Sequence, residues 1–203
     1  MYEKFIEKFK SSSNNMINED KYLYKGLPNQ LFALLDVYGG KSFSQGLYRV
    51  HSFSSSIHWS LIIGEYFSKY KSNIYPFGFD WMGRQFCMNS GDSQIMYMFD
   101  PSTGEDLEVK WDLSDLHDDD FVNDTDVMLS DDVFRDTIKS LNITSISYNE
   151  CIGYKLPLFL GGADTISNYE KVDIEVYWSI QCQLFKKVMD IDNGTNIKSF
   201  GVE

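Results

Sequence analysis

The chain has 203 residues and a formal net charge of −12 at pH 7, and 43% of it is hydrophobic and 16% aromatic. That length fits one large domain or two small ones packed together, and that much apolar material supplies a core, which excludes global disorder. The 18 basic residues form no cluster, and only Arg49, Arg84 and Arg135 are arginines, so nucleic acid and anionic membrane surfaces are disfavoured as partners and a basic protein is favoured.

Tyr2 to Lys10 places Phe5, Ile6 and Phe9 on one helical face, and "SSSNN" follows as a polar breaker. "LPNQLFALLDVYGG" predicts a helix. Pro28 suits its first turn, Leu31, Leu34, Leu35 and Tyr38 share a stripe, and Gly39 can close it in a left-handed conformation. "GLYRVHSF" alternates Leu47, Arg49 and His51 against Tyr48 and Val50, the pattern of a half-buried strand. A third helix from about Ser55 to Tyr70 would bury Ile57, Leu61, Ile62 and Phe67. From Asn73 to Trp111 the period changes to two. "YPFGFD", "RQFCMN", "QIMYMF" and "LEVKW" read as short strands joined by "WMG", "SGDS" and "DPSTGED", an antiparallel meander. In the last strand, Leu107, Val109 and Trp111 alternate with Glu108 and Lys110, which predicts one buried and one wet face.

The composition shifts after Trp111. Between Asp112 and Asp136 ten of twenty-five residues are aspartate, yet Leu113, Leu116, Phe121, Val127, Leu129, Val133 and Phe134 persist. This predicts short helices or loops lying on the core. In "GYKLPLFLGG", Pro157 limits strand pairing and Gly161-Gly162 permit a turn, so the block reads as a buried extended segment with a sharp exit. "DIEVYWSIQCQLFKKVMDID" spaces Ile174, Tyr177, Ile180/Gln181, Leu184/Phe185 and Val188 as a helix does. Asp173 is its N-cap, and Gly194 closes a turn beyond its end.

No catalytic constellation emerges. Lys155 precedes the glycine pair and Ala163-Asp164 follow it, the reverse of a phosphate loop. His51, His58 and His117 have no metal-ligand spacing, and no catalytic signature surrounds Cys87, Cys151 or Cys182. Three cysteines without a CxxC pair read as reduced thiols, mostly buried. "DDD" at 118–120 lacks the spacing of a calcium loop, leaving a solvated face or a partner-facing patch. "SGDS" and "GGADT" read as turns. "MYEKFIEKFKSSSNN" has no apolar core or cleavage site for export, no stretch is long enough to span a bilayer, and the sequons at Asn123, Asn142 and Asn193 read as accidental. The expectation is a cytoplasmic, non-enzymatic α+β protein with no cofactor and no metal.

"LPNQLFALLDVYGG" followed by "QGLYRV" resembles the start of a GAD-like domain, and "FGFDWMGRQFCMN" with "MFDPSTGEDLEV" resembles the sheet that follows. "CIGYKLPLFLGGADTISNYEKVDIEVYWSIQCQLFKKV" with "NGTNI" is similar to the C-terminal domain of type VI secretion immunity proteins that neutralise a DNase toxin. The residues carrying that likeness are Gly153, Tyr154, Pro157, Leu158, Phe159, Leu160, Gly161, Gly162, Tyr177 and Trp178. The meander with flanking helices is also similar to the wider SUKH group. The resemblance implies a GAD-like portion over 1–111 and an acidic segment with an immunity-type portion over 112–203, packed as one unit around a central antiparallel sheet flanked by N- and C-terminal helices. It implies inhibition by binding, with a cognate basic toxin, a nuclease, as partner. Asp118, Asp119, Asp120, Asp124 and Asp126 are the candidate contact residues. Two other readings stay open: a regulatory scaffold or adaptor with other protein partners, and a small hydrolase using Cys or Asp.

Overall fold

Seven strands pair antiparallel in strict chain order in the structure, a computed structural model that describes residues 1–14 and 26–188. They are β1 (Ser11–Asn14), β2 (Lys41–Phe43), β3 (Tyr48–Val50), β4 (Ile74–Asp80), β5 (Gln85–Asn89), β6 (Ile95–Asp100) and β7 (Glu105–Lys110). The period-two run from Asn73 to Trp111 thus forms the meander it predicts. A separate hairpin pairs β8 (Glu150–Tyr154) with β9 (Tyr169–Asp173). The helices are α1 (Glu3–Lys8), α2 (Asn29–Tyr38), α3 (Phe53–Tyr66), a chain of short acidic helices described below, and α8 (Ile174–Val188). The fold is α+β.

Alternation along β4 to β6 sends large apolar side chains to both faces, so the sheet has a core on each side. On one face Phe77, Phe86, Met88 and Met96 pack with Phe5 of α1, Leu31, Leu34 and Leu35 of α2, and Leu113, Leu116, Phe121, Leu129 and Phe134. On the other, Phe79, Cys87, Tyr97 and Phe99 pack with Trp59 and Ile63 of α3 and with Tyr177 and Trp178 of α8. Both clusters therefore draw side chains from before and after residue 112. The sheet is also tight in its centre, where a Cβ on Gly78 of β4 would stand 2.1 Å from the Tyr48 hydroxyl oxygen. Only glycine lets that tyrosine cross the strand.

Several elements differ from the sequence expectation, each for a physical reason. The polar "SSSNN" is not simply a breaker, since Ser11–Asn14 forms edge strand β1, which needs one partner and no buried face. In α1, Phe5 and Phe9 are buried but Ile6 is not. Tyr2, at φ 58°, takes the third core position. The left-handed residue after α2 is Gly40 (φ 77°), and Gly39 is at φ −53°. Strand β3 is buried on both faces, Arg49 included, as is His51 just after it, because the sheet has a core on each side. α3 turns Phe53, Trp59 and Ile63 inward, leaving Ile57 and Leu61 50% and 64% exposed, because the larger rings claim the core face. β7 is the last strand, so Leu107 is 50% exposed and Val109 and Trp111 are only half-buried. "GYKLPLFLGG" leaves the core early: β8 ends at Tyr154, Lys155 and Leu156 are exposed, and Leu158–Leu160 form a 3-10 turn with no fully buried residue before Gly161 (φ 85°). Asp173 caps α8 as its position predicts, accepting from the amides of Glu175 and Val176 at 3.0 Å. Within α8, Gln181 and Leu184 are buried and Ile180 is exposed. Asn193, Gly194 and "NGTNI" lie outside the described residues.

Candidate functional site

The aspartate-rich segment is a ridge built from outside in. Asp112 opens it, accepting from the Ser114 amide at 2.8 Å and from the Gln30 side chain at 3.0 Å. These bonds, the Gln30 one foremost, hold its carboxyl below the ordinary range. The chain then runs through α4 (Leu113–Asp115), a π-helical turn (Leu116–Asp120), α5 (Phe121–Asn123), α6 (Thr125–Leu129) and α7 (Asp131–Ser140). Leu113, Leu116, Phe121 and Leu129 are fully buried, and of the polar residues between them His117 and Thr125 are buried too, which leaves Asp115, Asp119, Asp124 and Asp126 on the outside.

The five candidate aspartates do not share one environment. Asp118 is half-buried, and its Oδ1 accepts from the Phe5 amide at 3.0 Å, which satisfies an orphan donor at the start of α1. It holds α1 and is turned away from the exposed row. Asp119 is exposed and accepts from the Asn123 side chain at 2.6 Å. Asp124 and Asp126 are exposed, and Asp126 accepts from the Asp132 amide. Asp120 is half-buried with a carboxyl raised above its ordinary value, first by burial and then by the charges of Asp119, Asp124 and Asp115. Carboxylates therefore crowd one another along the ridge. Val127 stands among them 80% exposed, which its apolar neighbours in the sequence did not predict. Replacing Asp118 by alanine is expected to cost about 1 kcal/mol through the lost α1 bond, measured as a lower urea midpoint. A neutral result would assign α1 docking to the rings of Phe5 and Phe9 and to Lys8.

α1 is bound to the ridge a second time. Lys8 Nζ donates to the Val122 carbonyl at 2.5 Å and to Thr125 Oγ1 at 2.6 Å. Beneath the ridge, His117 is fully buried. Its Nδ1 lies 2.8 Å from the Leu113 carbonyl, an acceptor, so that nitrogen carries the proton and Nε2 accepts from Tyr48 Oη at 3.1 Å. His51 is likewise buried between Ser55 Oγ and Gln85 Oε1, each at 2.8 Å. Burial pulls His117 down to about 4 and His51 to about 3 from the ordinary 6.5. Both pKa values are lower in the folded state, so the stability they contribute is complete above pH 6.5 and is lost as pH falls towards 4 and then 3. Urea titrations should show stability falling through that window by up to about 1.4 kcal/mol per pH unit for each histidine, and His117→Phe should flatten its upper part.

The glycine-aromatic motif forms a web. Gly153 in β8 lies under Tyr177, whose ring a Cβ would approach to 2.6 Å. Tyr177 Oη accepts from the Tyr154 amide at 3.3 Å. Tyr154 and Tyr169 both donate to Asp164 Oδ1, at 2.8 and 2.6 Å. Trp178 Nε1 donates to the Gly83 carbonyl at 2.8 Å, reaching the β4–β5 turn. Phe159 meets Phe185 edge-on, and Pro157 is buried, while Leu158, Leu160 and Gly162 are half-buried and Gly161 is exposed. A Cβ on Gly162 would meet the Leu156 carbonyl oxygen at 2.0 Å. Sequence reasoning missed Asp164, whose acceptor role appears only once the β8–β9 hairpin brings Tyr154 and Tyr169 side by side. It also missed Arg49, which is fully buried and donates to the carbonyls of Ser147 (3.0 Å), Glu150 and Asp80. Burial pulls that guanidinium down to about 10, so it remains charged at neutral pH.

The thiols are not activated. Burial pushes Cys87 and Cys151 up and half-buried Cys182 up to about 12. Among the described residues no group of His, Cys, Asp and Glu is arranged to hold a metal. None of their helices is long and apolar enough to cross a membrane. An open cleft of about 380 Å³ between α3 and β4, lined by Leu27, Phe53, Ile57, Ile74 and Tyr75 together with serines, brings no charged group into it.

Residues 113–185, from the first residue of α4 into α8, match the family model described as T6SS immunity protein Tdi1, C-terminal. The ridge, the β8–β9 hairpin and the glycine-aromatic web all lie within that stretch, and residues before 113 lie outside it. No curated protein matches the chain. Among solved structures, the crystal structure of Atu4351 from Agrobacterium tumefaciens is similar, with a TM-score of 0.68 and 17% identity over 90% of this chain and 89% of that one. At that identity the likeness is one of fold.

Proposed function

We propose that this protein is an immunity protein of a type VI secretion system, which binds a cognate toxin in the cytoplasm and occludes its active site without catalysing a reaction. The match over residues 113–185 to an immunity-protein family carries this reading. The ridge supports it, because Asp119, Asp120, Asp124 and Asp126 crowd negative charge that a cationic surface would relieve. We further propose that the toxin is a nuclease. A nuclease presents a basic groove to nucleic acid, and an acidic inhibitor competes for that groove through faster encounter and charge complementarity. The GAD-like assignment of residues 1–111 belongs to the same proposal, with α1 and the sheet holding the ridge as one folded unit.

Tagged protein captured from the native organism should bring down one dominant stoichiometric partner whose toxicity equimolar protein abolishes. Several unrelated partners, none of them toxic, would favour the adaptor reading instead. Changing Asp119, Asp120, Asp124 and Asp126 together to asparagine should weaken toxin binding by about 100-fold at low salt and flatten its salt dependence. Protection of cells and affinity both unchanged would reject the ridge as the contact surface.

A further inference from the structure

Among the described residues the sheet ends in an open edge. β7 is the last of seven strands, and among the described residues no strand pairs with its outer side. Direction along the strand follows from one bond: the Trp111 amide donates to the Gln94 carbonyl at 3.0 Å, towards β6. Antiparallel ladders alternate, so Asp106, Glu108 and Lys110 present their amide and carbonyl groups outward. Their side chains lie on the face of Tyr97 and Phe99, and those of Leu107, Val109 and Trp111 on the face of Met96 and Met98. An exposed edge of this kind accepts another strand unless its side chains forbid it.

We infer that a second copy of this chain pairs antiparallel with β7, extending the sheet across a two-fold axis at Val109. The charges select that register. A two-fold perpendicular to the sheet pairs residues of like parity. Centring it on Leu107 sets Asp106 opposite Glu108, and centring it on Glu108 sets two glutamates opposite each other. Centred on Val109, each Glu108 faces a Lys110, each Leu107 faces a Trp111, and the valines meet. Like charges directly opposite are unfavourable and opposite charges and apolar pairs favourable, so this is the register in which Glu108 and Lys110 pair twice across the axis with apolar pairs between and beside them. It also covers Leu107, half exposed in the single chain. Asp106, near the start of β7, would face Asp112, a like-charge pair at each end of the interface, where Asp106 is already paired with Lys69 at 3.0 Å. This surface lies outside the acidic ridge and does not depend on the immunity reading.

The interface is narrow, so the dimer belongs to the weak class. Sedimentation velocity between about 1 and 100 µM, in roughly 0.15 M salt so that the repulsion between two acidic copies is screened, should show a monomer–dimer equilibrium. Glu108→Lys and Lys110→Glu, each creating like-charge pairs, should raise the dimer Kd about tenfold. The double variant, with the pairs re-formed in reverse, should restore it. Both side chains are exposed, so the melting temperature should stay at the parent's value, and it is recorded to confirm that each variant folds. A parent that is monomeric throughout, a dimer indifferent to both single changes, or a double variant that is not restored would each overturn the proposal.

Discussion

Arg49→Met is expected to lower the unfolding free energy by roughly 3–5 kcal/mol, read from urea curves with an unchanged slope. The side chain is completely buried in β3 and reaches the carbonyls of Ser147 and Glu150 on one side and of Asp80 on the other. Replacing a buried charge by an apolar group is often harmless when its partner is replaced too. Here the acceptors are main-chain carbonyls, which no compensating mutation removes; those of Ser147 and Asp80 keep one amide donor each, from Glu150 and Gly83, but all three lose a charged donor. The guanidinium also lies 4.5 Å from the centre of the Phe79 ring, a contact methionine cannot reproduce in kind. Arg49→Lys should rescue little of the loss, because one ammonium cannot span carbonyls that lie on three different residues. A loss below about 1 kcal/mol would mean that water or a backbone shift satisfies those carbonyls.

Trp178→Ala is expected to cost about 3–5 kcal/mol and to loosen α8 from the sheet. The indole is fully buried, donates to the Gly83 carbonyl and meets Trp59 and Tyr66 edge-on at 5.6 and 5.5 Å. Truncation leaves a large cavity between α3 and α8 and an unpaired carbonyl at the β4–β5 turn. Trp178→Phe keeps part of the ring packing and loses the bond, so it should cost clearly less. Hydrogen exchange should show α8 amides losing protection before those of β4 and β5. Uniform loss across the chain would show instead that α8 and the sheet unfold as one cooperative element.

Periodicity served well where one side chain per turn or per strand decides the outcome. The four strands of the meander, α2 and the Asp173 cap all follow from local pattern and cap chemistry. It failed where a third element chose the face. Nothing local says that α3 buries Trp59 in place of Leu61; that depends on Trp178, more than a hundred residues later. Nor does an alternating "YRV" announce a core on both sides of β3, which requires the C-terminal portion to return over the sheet. The acidic segment was legible as helices lying on the core, because its apolar residues are spaced to be buried. Which aspartate points where was not, since the run of three offers no local sign of which one faces α1 and which faces Asn123.

The bond from the Phe5 amide to Asp118 spans 113 positions, and Lys8 reaches as far, to Val122 and Thr125. During synthesis α1 emerges early and finds its seat only after the acidic segment has been made. Until then Phe5 has only the sheet side of its pocket, Phe43 and Tyr48, and lacks Phe121 and His117, and a six-residue helix has little stability of its own. Contacts of such long sequence separation slow folding and prolong the exposure of apolar surface. Contact order therefore predicts that folding at this end of the molecule runs against the order of translation, with the meander, whose strands are neighbours in sequence, assembling first and the N-terminal helix closing over it late; pulse-labelled hydrogen exchange would read this as late protection of the α1 amides.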